Sequence, residues 1–300
     1  MDKRCSEPPP SGAMPSGTVH AIATAPRKRA ERKADRTPVM LRIARAGRVM
    51  LHVFQGLATT VFVFPLLRMP RRYALIRRWS RQLLRMLRVS TRIEGLPEGA
   101  LPGNLLIVAN HISWLDIFVL HAVRPSRFIA KAEVRRWPVL GHLVAGCGTL
   151  FLDRGRRRDA HRINEQARDA LVAGDTIAIF PEGTTTDGRS VLPFRSSLLQ
   201  PIIDARGYLQ PVAIRYLGPG GAYNDAPAYV GETTFLDSFW RVLGERSLVV
   251  ELTFGPKLAA HARHRGELSR QAEAIIRRAL EQSPRGSGPE IHDRRRASPR

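Results

Sequence analysis

Leu105-Leu106-Ile107-Val108-Ala109, followed at once by Asn110-His111-Ile112-Ser113-Trp114-Leu115-Asp116, decides how this chain reads. Five consecutive apolar residues bounded by a polar turn point to a strand buried on both faces, as in parallel sheets covered by helices. His111 then sits where the strand ends, and a helix opens near Ser113, a residue type that caps helix starts. Histidine is the side chain most readily tuned to exchange a proton near neutral pH. Asp116, one turn into the next element, is placed to fold back and hold the imidazole in one tautomer, the orienting role of the acid in catalytic triads. No serine or cysteine completes an obvious triad nearby. The pair therefore points to a base that activates a substrate hydroxyl, rather than to an enzyme nucleophile.

Two further apolar runs end in charged residues. They are Gly148-Thr149-Leu150-Phe151-Leu152-Asp153-Arg154 and Ile177-Ala178-Ile179-Phe180-Pro181-Glu182-Gly183-Thr184. Both deliver charge to strand ends, where open α/β sheets build their ligand crevices. Arg154 offers a planar, always charged fork for phosphate or carboxylate. Pro181 and Gly183 shape a tight turn that aims Glu182. Strand-like runs at 105–109, 127–131, 149–153, 176–180, 211–216 and 248–254 alternate with helical or loop segments. The clearest helix covers 157–173 and ends at Gly174; others fall at about 235–243 and 267–282. The predicted fold class is α/β, a mixed, largely parallel sheet flanked by helices.

The chain has 300 residues, enough for one large domain or at most two, and a formal net charge of +22. Such a charge calls for nucleic acid or anionic lipid as partner. Residues 1–38, rich in Pro, Ser, Gly, Ala, Lys and Arg, read as a disordered basic leader without the pattern of a secretory signal. Residues 49–67 carry no formal charge. The stretch suits a single transmembrane helix or a shallow, re-entrant or interfacial one, although His52, Gln55, Thr59, Thr60 and Pro65 interrupt it. Residues 68–92 hold many arginines and no acid. On a helical wheel Ile76, Trp79, Leu83 and Leu87 share one face, opposite Arg78, Arg81, Arg85 and Arg88. This pattern predicts a helix lying in the headgroup layer, apolar side down; a helix packed on the enzyme's own core would look the same. The expected organisation is the leader, an N-terminal membrane-anchoring hairpin at 40–92, a catalytic domain at 93–282 and a basic disordered tail at 283–300. No specific nucleic acid is expected, because no reading module accompanies the basic residues and no aromatics interleave with them. Cys5 and Cys147 form no disulfide, metal or redox pattern, and Cys147 reads as a small buried hydrophobe. His142, His161 and His261 lack metal-ligand spacing.

Taken together, NHISWLD at 110–116, GTLFLDR at 148–154, FPEGT at 180–184 and, more weakly, LQPVAI at 209–214 resemble the glycerolipid acyltransferases of the lysophosphatidic acid acyltransferase family. The resemblance spans roughly residues 86–217. It implies that His111 is the general base, that Asp116 orients it, and that the acyl group passes directly from a thioester with no acyl-enzyme, metal or cofactor. The donor it implies is an acyl carrier protein or coenzyme A thioester. Arg154 would bind the acceptor's phosphate or acidic headgroup, and Phe180, Pro181, Glu182, Gly183 and Thr184 would form the acceptor-binding turn. It also implies 1-acyl-sn-glycerol-3-phosphate as acceptor, phosphatidic acid as product, and a place on the cytoplasmic face of the bacterial inner membrane among anionic lipids. Residues 131–143 (KAEVRRWPVLGHL) would belong to the acyl-chain or membrane-facing wall. One departure matters: many members follow FPEGT with arginine, and this chain has Thr185. With Val191-Leu192-Pro193-Phe194-Arg195 behind it, the variant resembles a bacterial branch that includes lyso-ornithine lipid acyltransferases. Arg189 and Arg195 are the cations that could replace the missing charge.

Overall fold

Helix α1 (Val39–Ala58) opens the part of the chain that the computed structural model describes, residues 37–96, 103–153 and 157–282. It continues through a π-helical turn (Thr59–Val63) and a 3₁₀ turn (Phe64–Leu66) before α2 (Met69–Met86). The widening has a local cause. The Thr59 and Thr60 hydroxyls donate to the Gln55 and Gly56 carbonyls at 2.8 and 2.9 Å, loosening the ordinary ladder there. Then follow β1 (Val89–Glu94), β2 (Leu105–Ala109), α3 (Leu115–Val123), β3 (Arg127–Lys131), α4 (Leu140–Gly146), β4 (Leu150–Leu152), α5 (Arg157–Val172) and β5 (Thr176–Ile179). The remaining elements are α6 (Gln200–Asp204), β6 (Tyr208–Leu217), α7 (Phe235–Gly244), β7 (Leu248–Phe254), β8 (Leu258–Ala259) and α8 (Arg265–Glu281).

The strands form one sheet in the order β1-β7-β6-β2-β5-β3-β4, with β8 against β6. Only the β6–β7 and β6–β8 pairs are antiparallel, so the sheet is mixed and largely parallel, as the apolar runs predict. All five residues of β2 are buried because both faces are covered. Leu105, Ile107 and Ala109 pack with Leu83 and Leu84 of α2, Leu115 and Val119 of α3, and Val242 of α7. Leu106 and Val108 pack on the other face with Leu171 of α5, Ile202 of α6 and Leu268 and Ile276 of α8. The connection leaving β2 runs toward β3 and that leaving β5 runs toward β6, which opens a crevice at their carboxyl ends.

Two expectations at the N-terminal side are corrected. The arginine-rich helix ends at Met86, and residues 89–94 form an edge strand beside β7, so the boundary drawn at 92/93 falls inside β1. The apolar face of α2 is also unavailable to a membrane: Ile76, Leu83, Leu84 and Leu87 are buried in the protein, largely under α3. Burial against a sheet-covering helix satisfies that face better than half-immersion in headgroups. Helix α1 behaves differently. His52 and Trp79 lock it to α2 reciprocally, Trp79 Nε1 donating to the His52 carbonyl and His52 Nε2 meeting the Trp79 carbonyl, both at 3.0 Å, with the rings stacked at 4.6 Å. Its outer face leaves Met40, Ile43, Met50, Leu51 and Phe54 exposed, and Val61, Phe62 and Leu66 continue that surface. Among the described residues, Val39–Leu66 is the stretch long and apolar enough to cross a membrane by length and composition.

Candidate active site

His111 follows β2 after Asn110, and its ring is held at one edge and on one face. Its Nδ1 lies 2.8 Å from Asp116 Oδ2. Asp116, fully buried near the start of α3, accepts on the same oxygen from the Ile112 and Ser113 backbone N–H groups at 2.7 and 2.9 Å. Its other oxygen accepts from the Tyr216 hydroxyl at 2.6 Å. Burial, and then the adjoining Asp116 charge, raise the Tyr216 pKa well above the ordinary phenol range, so this hydroxyl keeps its proton and remains a donor. A carboxylate in that position accepts from Nδ1–H, so in the neutral ring the lone pair lies on Nε2. The Phe180 ring stacks on the imidazole with centroids 3.9 Å apart and planes 8° apart, and Phe128 stacks behind Phe180. The His111 side chain keeps 20 % of its surface exposed.

The third sequence block closes over the first. The His111 N–H donates to Glu182 Oε1 at 2.8 Å, the Leu192 N–H donates to Glu182 Oε2 at 2.9 Å, and the Thr186 N–H donates to the His111 carbonyl at 2.8 Å. Gly188 approaches Ile112 so closely that a Cβ there would stand 2.5 Å from its Cδ1. Asn110 joins the next strand in the same manner, its side-chain amide exchanging two hydrogen bonds with the Ile214 backbone at 3.0 and 2.7 Å. The loops leaving β2 and β5 and the body of β6 are thereby welded into one surface around the imidazole.

Of the residues singled out from sequence, the structure gathers His111, Asp116, Phe180, Pro181, Glu182, Gly183 and Thr184 at this crevice. Their roles sort differently from the expectation. Glu182 is 4 % exposed with each oxygen accepting from a backbone N–H group, so it holds the His111 backbone to the turn. Burial raises its carboxyl pKa, opposed by the two N–H donors. Pro181 is buried, and its carbonyl accepts from the Arg195 N–H at 3.0 Å. Gly183 takes φ +73°, the left-handed region that favours glycine, with the Arg195 guanidinium crossing directly over it. Thr184 is exposed, and the Thr185 hydroxyl donates to the Tyr229 carbonyl. Arg189 stands 4.2 Å over the Tyr223 ring and pairs with Asp187 at 3.8 Å, whereas the Arg195 side chain lies against Gly183 of the turn. Arg154 lies outside the described residues. Cys147 keeps part of its surface, and its apolar surroundings push its thiol pKa up to about 12, the behaviour of an inert side chain. Two residues escaped the sequence reading, Tyr216 and Asn110. The available signal was chemical: a tyrosine within one strand and an asparagine at the end of another must find hydrogen-bond partners when buried.

A crevice at the carboxyl ends of a largely parallel sheet, with a carboxylate-held histidine at a strand end, is the arrangement of an α/β enzyme equipped for proton transfer. Comparison with known proteins defines the family. Residues 89–215 match the family model described as "Acyltransferase". The chain is 39% identical over 212 residues to the lyso-ornithine lipid O-acyltransferase of Pseudomonas aeruginosa, covering 70% of this chain and 80% of that protein. It is 41% identical over 162 residues to the 1-acyl-sn-glycerol-3-phosphate acyltransferase of Neisseria gonorrhoeae, covering 53% of this chain. In that alignment it spans 62% of the relative's length. The crystal structure of the 1-acyl-sn-glycerophosphate (LPA) acyltransferase PlsC from Thermotoga maritima shares the fold, with a TM-score of 0.63 over 83% of this chain and 96% of that one, at 22% identity. The chain belongs to the acyltransferase family.

Proposed function

We propose that this protein transfers a fatty acyl group from an acyl thioester to the free hydroxyl of a lysolipid, with His111 as general base. The observation that carries the reading is the hydrogen-bonded chain Tyr216–Asp116–His111, which turns Nδ1 to the carboxylate and leaves Nε2 as the ring nitrogen free to meet a substrate hydroxyl. In the reaction Nε2 takes the acceptor's hydroxyl proton as its oxygen attacks the thioester carbonyl. The tetrahedral intermediate collapses with loss of the thiolate, and the imidazolium returns the proton to that sulfur. Asp116 stabilises the transient imidazolium, and the Phe180 face adds a cation–π contact. The ester formed and the thiol released balance the hydroxyl and thioester consumed. No residue becomes acylated.

The acceptor we favour is 1-acyl-sn-glycerol-3-phosphate, with Arg195 at the turn as a cation for its phosphate. A second reading, lyso-ornithine lipid, is supported by Thr185 and by the longer alignment with the Pseudomonas relative. The donor is a carrier-protein or coenzyme A thioester; both are acidic, matching a chain of net charge +22. We further place the enzyme on the cytoplasmic face of the bacterial inner membrane, among anionic lipids, with the exposed apolar face of α1 as the docking element. Helix α1 is held along one flank by α2 and α7, which favours lying in the interface over crossing the bilayer.

The test is acyl transfer by purified protein from labelled acyl carrier protein to lysophosphatidic acid and to lyso-ornithine lipid, with His111→Ala as control. Transfer that vanishes in the variant supports the mechanism, and near-normal turnover by it would sink it. Preference for the ornithine acceptor would displace the first reading of the headgroup.

A further inference from the structure

Between α1 and α2 lies a cavity of about 450 Å³ whose chemistry the acyl-transfer reading does not use. Helix α1 contributes Arg45, Arg48, His52 and Gln55, spaced so that all four fall on one stripe, and α2 closes the other side with Arg85 and, just past its end, Arg88. His52 forms the floor, held by Gln55 and Trp79. Among the described residues no carboxylate pairs with Arg45, Arg48, Arg85 or Arg88. The cations strain one another: burial, then the Arg88 and Arg42 charges, lower the pKa of Arg45.

Arg88 carries a second cost. It occupies φ +58° at the exit of α2, the left-handed position where glycine is the favoured residue. Steric preference opposes an arginine at that φ, and its side chain lines the groove. The carboxyl end of a helix attracts cations, which accounts for Arg85 and Arg88 at the end of α2 and for Arg45, whose Nη1 donates to the Leu243 and Glu245 carbonyls at the end of α7 at 3.1 and 2.9 Å, but not for Arg48 in the body of α1. The position is also informative. β6 continues past the end of β2 to Leu217, which pairs with Val249, and Leu248 N–H donates to the Arg88 carbonyl at 3.0 Å. The groove therefore opens at the end of the sheet from which His111 emerges. Beside it on α1, Leu51 and Phe54 are 72% and 53% exposed, so charge and apolar surface adjoin along one helix.

We propose that this groove binds the phosphate of an anionic phospholipid of the bilayer, a second lipid besides the acceptor, with its acyl chains along the apolar flank of α1. The proposal rests on the membrane docking proposed above. Its test uses the full chain with dihexanoylphosphatidylglycerol below its micelle concentration, by calorimetric titration, and separately with phosphatidylglycerol vesicles, by sedimentation. Saturable binding of the soluble lipid is expected, weakened about tenfold in the Arg48→Gln/Arg88→Gly variant and unchanged in the charge-matched Arg270→Gln/Arg278→Gln variant on the opposite face of the sheet. Because glycine suits the backbone at 88, the groove variant melts no lower than the wild type, which separates lost binding from lost fold. Equal weakening in both variants would make the effect general electrostatics and overturn the site. So would binding of inorganic phosphate or dihexanoylphosphatidylcholine as tightly as the anionic lipid, or loss of acyl carrier protein binding in place of lipid binding. Vesicle sedimentation without binding of the soluble lipid overturns the groove alone, whereas absence of sedimentation overturns the docking on which it rests.

Discussion

Tyr216 supports the base from the buried side, and no motif announces it. His111 and Asp116 are five residues apart, so their partnership was legible in the sequence, whereas Tyr216 comes from β6, 100 positions after the carboxylate it holds. Linear spacing is blind to such a contact. Tyr216→Phe is expected to lower kcat about tenfold with KM little changed, and to cost about 1–2 kcal/mol of stability for the bond removed from a buried carboxylate. A change confined to KM would show that Tyr216 does not position the base. Asp116→Asn removes the acceptor that fixes the tautomer, and kcat should fall by roughly a thousandfold or more while near-ultraviolet dichroism stays native. Glu182 was legible as a charged residue at a strand end but not in its role. A sequence tells nothing of which backbone N–H groups a folded turn will aim at a carboxylate.

At the scale of elements, β2, β3 and β7 were legible to the residue, because uninterrupted apolar or β-branched runs have few other homes. β1 was not: Val89, Thr91 and Ile93 suit a strand, but they follow an arginine-rich amphipathic pattern that swallows them. The pairing of α1 with α2 was legible as a hairpin at 40–92, but not the contact that seats it, which depends on Gly56, where a Cβ would stand 2.7 Å from Trp79 Nε1. Gly56→Val should destabilise the fold by about 1–3 kcal/mol, read from the urea midpoint. Helix α3 carries a pH dependence of its own. Burial lowers the pKa of His121 from 6.5 to about 4, edge-on to Phe128. Below pH 6.5 the unfolded chain takes up a proton that the folded one refuses until about 4, so stability is full above 6.5 and declines as pH falls through that window. At pH 5 the loss amounts to about 2 kcal/mol, and it should be absent in His121→Gln. Equal urea midpoints across pH 5 to 7.5 in the wild type would contradict the buried neutral ring.

The molecule as a whole is two-sided. One face of the sheet carries α1, α2, α3 and α7, and the other carries α5, α6 and α8. The hairpin expected at 40–92 is therefore no detachable anchor: deleting it would strip Leu83, Leu84, Leu87 and Val89 from the core. Membrane docking is better probed at the surface. Leu51→Glu/Phe62→Glu should reduce sedimentation with anionic vesicles by about tenfold while leaving the melting temperature near that of the wild type, because both side chains are 72% exposed. Unchanged sedimentation would remove α1 from the docking surface. The weld between the first and third loops has a consequence for descent and for engineering. Glu182 and Thr186 secure the backbone of His111, while the side chains at 184, 189 and 195 stand outward. If those outward side chains meet the headgroup, as the proposed function has it, chemistry and acceptor choice are stored in separate positions of the same loop. A lineage, or a library randomised at those three sites, would then wander between acceptors without passing through an inactive ancestor.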